Sequence, residues 1–226
     1  MNVRTPDGRT LTVDGEPQPF IGRWAYAVWL YGPDGGYRVN VSPAGSEESI
    51  SKQSGDWSRY VVREASRNGG RILSLEDPEN SGTNMLWIGP YHEVGIFVPG
   101  TGVPLETFMD RLSLFDVRDA PDGLTMLPRP GSGHQFGNLL AVNTINQLCS
   151  VQVTPASQVT SFMPGTEGRR VRGGQMWRID ETDQRGRVRS RSALVVNDTT
   201  ATTITAARPE DPRFVVAVES ISCGLG

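Results

Sequence analysis

Turn-forming clusters cut this chain so often that long helices have little room. Pro6-Asp7-Gly8, the run Gly32 to Gly36, Asn68-Gly69-Gly70, Gly89-Pro90 and Pro121-Asp122-Gly123 each separate two short runs rich in branched and aromatic residues. Proline presets φ, Asp and Asn bond back to their own backbone, and glycine tolerates φ > 0, so each cluster reverses the chain. With 26 glycines and 16 prolines among 226 residues, an all-helical bundle is disfavoured.

The runs between these turns predict strands. Residues 3–13 read as an opening hairpin, and Arg23–Tyr31 with the alternating run from Tyr37 reads as a second. Further strands are expected at Tyr60–Glu64, Arg71–Leu75, Met85–Ile88 and Val94–Val98, and residues 43–56, polar and charged, read as an exposed loop. One amphipathic helix is predicted near residues 104–115, where Leu105, Phe108, Met109 and Leu112 fall on one stripe. Pro104 suits its first turn, and Glu106 suits the positive end of its dipole.

Residues 128–137 are dominated by proline and glycine and read as a linker between an N-terminal domain, 1–127, and a C-terminal β domain, 138–226. In the second domain Asn138–Leu148 fits helix or strand, whereas Gln175–Asp180, Arg187–Val196, Thr200–Ala207 and Phe214–Cys223 are expected as strands. The expected class is mainly β, a β-rich α+β fold of short antiparallel hairpins and sheets with one helix, in two subdomains.

Catalytic chemistry finds few candidates. His92 and His134 are the two histidines, no G-x-S-x-G elbow is present, and Cys149 with His134 makes only a formal dyad. Cys149 and Cys223 lack CxxC spacing and read as buried thiols, so neither a zinc site nor a disulfide framework is expected. Asp116, Asp119 and Asp122 are spaced by three where a calcium loop alternates by two, and read as a solvated exit from the helix. No phosphate-binding glycine motif occurs. The sequence therefore points to no catalytic residues, metal or cofactor, and to a protein that is not an enzyme.

Arginine usage is the sharpest local feature. Lys52 is the only lysine beside 21 arginines, as a genome of high GC content would give. Eight of the arginines fall between Arg169 and Arg191 against three acids. On a regular strand Arg185, Arg187, Arg189 and Arg191 project from one face as a ladder that repels itself unless a partner faces it, or else guard a strand edge. Trp24, Tyr26, Trp29, Tyr31 and Tyr37 are a second candidate surface, which strand alternation divides between two faces.

The net charge of −3 gives no global pull toward nucleic acid, and no apolar run reaches the roughly 20 residues of a membrane helix. The first residues lack the apolar core of a signal peptide, so a soluble chain of cytoplasmic synthesis is expected. The leading expectation is an oligomeric structural or assembly component of a large particle, such as a phage tail or capsid accessory protein from a high-GC host, with other protein subunits as partners. The alternatives are a module binding a carbohydrate or an acidic macromolecule, and a hydrolase with an unrecognised site.

Overall fold

The computed structural model describes residues 1–15, 23–33, 35–46, 60–67, 69–77, 79, 81–145 and 147–226. The expected loop at 43–56 lies, from residue 47 onward, outside the described residues. The fold is mainly β with antiparallel sheets, as the turn pattern predicts. It divides into two compact units. A terminal unit gathers Met1–Val3, Arg9–Trp24 and Asn138–Gly226, and a central unit gathers Arg4–Gly8 and Ala25–Gly137. The cut after Gly137 falls at the end of the expected linker, but residues 9–24 group with the C-terminal strands. The reason is a strand pairing that composition does not reveal, described below.

Strands β1 (Asn2–Arg4) and β2 (Thr10–Asp14) flank the first turn, where Gly8 takes φ +86° and its N–H donates to Thr5 O at 2.9 Å. Met1 and Val13 exchange two backbone hydrogen bonds of 2.8 Å each, which close the hairpin.

In the central unit, β3 (Ala25–Gly32), β4 (Gly35–Pro43), β5 (Val61–Arg67), β6 (Gly70–Asp77), β7 (Gly82–Ile88) and β8 (His92–Pro99) form antiparallel neighbours in the order β3-β4-β8-β7-β6-β5. The period of two divides β3: Tyr26, Val28 and Leu30 are buried, while Trp29 and Tyr31 are exposed. Helix α1 (Leu105–Ser113) has Pro104 at its N-cap and Glu106 in its first turn. It buries Phe108 and Leu112 and packs on β5, β6 and the next strand. That strand, β9 (Phe115–Ala120), forms a hairpin with β10 (Gly123–Pro128). Residues 116–120 are thus paired strand and not a solvated helix exit, because Phe115 goes inward and the alternation it starts continues to Asp119.

In the terminal unit, β11 (Gln135–Ile145), β12 (Cys149–Pro155), β13 (Arg169–Val171), β14 (Gly174–Thr182), β15 (Val188–Val196) and β16 (Thr200–Ala206) are antiparallel in the order β13-β14-β15-β16-β12-β11. The ambiguous 138–148 segment is therefore strand as far as Ile145. The segment expected as a strand at 214–223 is instead helix α2 (Arg213–Ser220) followed by β17 (Ser222–Leu225). Five consecutive apolar residues from Phe214 fit either period. The fold selects the helical one: Phe214 and Val218, one turn apart, are buried, and Val215 and Val216 face water. β17 pairs with β2, Cys223 opposite Val13 and Leu225 opposite Leu11, and this pairing draws the N-terminal segment into the C-terminal unit.

Candidate functional site

The arginine-rich segment builds an arm. β13 pairs with β14 only at Gly174–Met176, and β16 pairs with β15 only at Ser192–Val196. From Asp180 to Arg191 the hairpin pairs with no other strand among the described residues, so both edges present unpaired backbone groups. Its base is anchored by Trp177, which is 9% exposed and whose Nε1 donates to Thr166 O at 2.8 Å.

The tip is organised by one carboxylate. Asp183 Oδ1 accepts the backbone N–H groups of Arg185 at 2.8 Å and Arg187 at 2.9 Å, and Oδ2 accepts Arg187 Nε at 3.0 Å. Gly186 supplies the left-handed residue at φ +74°. The Arg187 backbone N–H, aided by the Arg185 N–H and the Arg187 side chain, holds the Asp183 carboxyl below its ordinary range. Further down, Asp180 Oδ1 accepts Arg191 Nε at 3.3 Å and Oδ2 accepts Arg178 Nη2. The Arg178 bond is the main reason the Asp180 carboxyl is also held low, with the charges and hydrogen bond of Arg191 adding to it.

These contacts replace the expected ladder. Arg185 and Arg187 lie in the turn, and Arg189 is the extra residue where the register shifts, since Glu181 faces Ser190 and Thr182 faces Val188. Only Arg191 sits in regular strand, opposite Asp180. A one-sided row needs a regular strand from 185 onward, and the Asp183 turn and the bulge remove it. Arg185, Arg189 and Glu181 make no ion pair among the described residues. Arg169 and Arg172, nearer the base, pair with Glu219 and Asp14. Where the arm joins the sheet, Arg178 and Arg191 border a crevice of about 100 Å³ whose apolar lining includes Met176, Ala193, Phe214 and Val218.

The residues considered for catalysis are held by the following contacts. His92 Nδ1 donates to Asp119 Oδ1 at 2.7 Å, and Asp119 Oδ2 accepts the N–H groups of Tyr91 and His92 at 2.8 and 3.2 Å. His134 donates from Nδ1 to Ser132 O at 2.9 Å and meets the rings of Phe115 and Tyr37 edge to face, centroids 5.5 and 6.3 Å apart. Gly32 makes that seat possible, because a Cβ there would lie 2.4 Å from His134 Nε2. Cys149 and Cys223 are free and buried, and burial pushes both thiols up to about 11, away from the thiolate that a nucleophile needs. Asp116, Asp119 and Asp122 turn to separate partners, Arg118, His92 and Arg4. Among the described residues no three His, Cys, Asp or Glu side chains gather closely enough to hold a metal ion.

The aromatic set divides as alternation requires. Trp24 and Tyr26 are buried, while Trp29 and Tyr31 are 42% and 46% exposed, with Arg38 across the hairpin from Trp29. Among the described residues no helix is long and apolar enough to cross a membrane. Sequence reasoning missed the length of the free arm and the His92–Asp119 contact. The Asp183-to-Gly186 turn was the available sign of the first, while the second joins positions 27 residues apart and leaves no local trace. No protein family model matches the chain, and no curated protein does.

Proposed function

We propose that the protein is a non-enzymatic assembly component of a large macromolecular particle, and that the β14–β15 arm is the surface by which it joins neighbouring subunits. A phage tail or capsid accessory protein of a high-GC host is the form of assembly that best fits this reading.

The observation that carries it is the arm itself, a two-stranded ribbon that leaves its sheet with both edges unpaired among the described residues. Such ribbons are marginal alone in water, and open edges are ready templates for another strand. The arm also carries Arg178, Arg185, Arg187, Arg189 and Arg191 against Asp180, Glu181 and Asp183, a local positive excess in a chain of net charge −3. Arginine at an edge docks carboxylates in fixed geometry and raises the encounter rate with acidic surfaces.

The direct test is replacement of Arg185 and Arg189 by glutamate. Neither holds an ion pair among the described residues, whereas Arg187 organises the turn. The double variant should keep the fold and lose association, most clearly at low salt. Association equal to wild type would remove the arm from the interface. A second reading, a carbohydrate-binding module, is favoured by the exposed Trp29 and Tyr31. Trp29→Ala would then abolish retention on glycan supports while leaving association unchanged.

A further inference from the structure

We infer that the partner of the arm is the arm of a second copy of this chain, joined edge to edge with the open side of β15 in one copy against the open side of β14 in the next. This inference rests on the assembly reading and names its contact.

Charge is segregated between the two sides of the arm. The β14 side and the start of the turn carry Asp180, Glu181 and Asp183 with Arg178, whereas the rest of the turn and β15 carry Arg185, Arg187, Arg189 and Arg191 and no acid. Internal pairing consumes Asp180, which holds Arg178 and Arg191, and Asp183, which holds Arg187. What remains without an ion pair among the described residues is Glu181 on one side and Arg185 and Arg189 on the other. All three are exposed.

Three edge pairings between copies are geometrically open. Joining β14 to β14 brings two sides with a net excess of acid together, and joining β15 to β15 brings two arginine sides together, both less favourable than joining unlike sides. Joining β15 to β14 repeats the polarity that already stabilises the hairpin and gives Glu181 a cation from the neighbour. It also satisfies the backbone N–H and C=O groups that each edge leaves open. Because the two surfaces differ, each copy has one edge free to continue, and the contact propagates into a ring or a filament. The bulge at Arg189 limits each pairing to a short stretch, so a single contact is weak and the assembled state depends on many of them.

The test uses three forms of the full chain, Glu181→Arg, Arg189→Glu and the double exchange, followed by sedimentation at about 0.05 M and about 0.5 M salt, below and above the range where surface charge is screened. The expected result is association by wild type at low salt, weakened about three- to tenfold in each single variant. An equimolar mixture of the two single variants, and the double exchange, should both recover it. All forms should unfold at the wild-type midpoint, since the residues are exposed. If wild type associates and both single variants do so equally well, the edge pairing is overturned while assembly through another surface stands. If wild type stays monomeric at low salt, pairing between copies is overturned. Single variants that lose association with no recovery in the mixture overturn the Glu181-to-arginine contact.

Discussion

His92 Nδ1 lies 2.7 Å from Asp119 Oδ1, with the two side chains only 3% and 4% exposed. The other carboxylate oxygen accepts two backbone N–H groups of the β7–β8 turn, so one side chain on β9 fastens that turn and the imidazole together. Gly89 leaves it room, because a Cβ there would lie 2.5 Å from Asp119 Oδ2. Asp119→Ala leaves these buried donors without an acceptor and should cost about 2–4 kcal/mol, with Asp119→Asn costing less. Urea unfolding measures both, and an Asp119→Ala midpoint equal to wild type would show that the contact contributes no stability.

Phe108 is 1% exposed on α1, which packs against β5, β6 and β9. Phe108→Ala removes a large buried group that its surroundings can only partly refill, and should cost about 3–5 kcal/mol. Exposed Glu106 is the control: Glu106→Ala should change stability by less than about 0.5 kcal/mol.

Cys149 and Cys223 should be inert to thiol reagents in the folded protein at neutral pH and react fully once it is denatured. Burial pushes both from 9.0 to about 11, so the fold favours the neutral thiol. Their contribution to stability is complete below pH 9 and is lost as pH rises toward 11, because the unfolded chain releases those protons first. Replacing both with serine should flatten stability over that window. Rapid labelling of the native protein at pH 7 would contradict the burial assigned to them.

The arm has the opposite pH dependence. Asp180 and Asp183 are held below the ordinary carboxylate value of 3.8, chiefly by the Arg178 hydrogen bond and the Arg187 backbone N–H. The stabilisation they give is present above pH 3.8 and is lost only as pH falls through their lowered values. Association through the arm should therefore be flat between about pH 5 and pH 8 and fall in stronger acid. A midpoint near neutrality would point instead to a histidine in the contact.

Much of the fold was legible because its signals are local. Proline, asparagine, aspartate and glycine mark the hairpins, and the stripe from Leu105 to Leu112 marks α1. The run from Phe214 was not legible, since five adjacent apolar residues satisfy both periods and only burial against a neighbour chooses between them. The pairing of β17 with β2 joins opposite ends of the chain and leaves no pattern in either segment. At the candidate site the density of arginine was visible, but its arrangement was not. The register of β13 and β16 decides how much of the β14–β15 hairpin stands free, and Asp183 with the bulge at Arg189 decides where each guanidinium goes.

Sedimentation equilibrium across concentration and salt gives the mass of the native protein, and with it whether the arm joins copies of the chain. Assembly through a charged arm predicts species heavier than the 24.6 kDa chain, growing with concentration and dissociating as salt rises. The same experiment on the Arg185→Glu/Arg189→Glu variant should return the single-chain mass under every condition. Equal association of wild type and variant at all salt concentrations would contradict the role given to the arm, and a wild-type mass of 24.6 kDa throughout would contradict self-assembly.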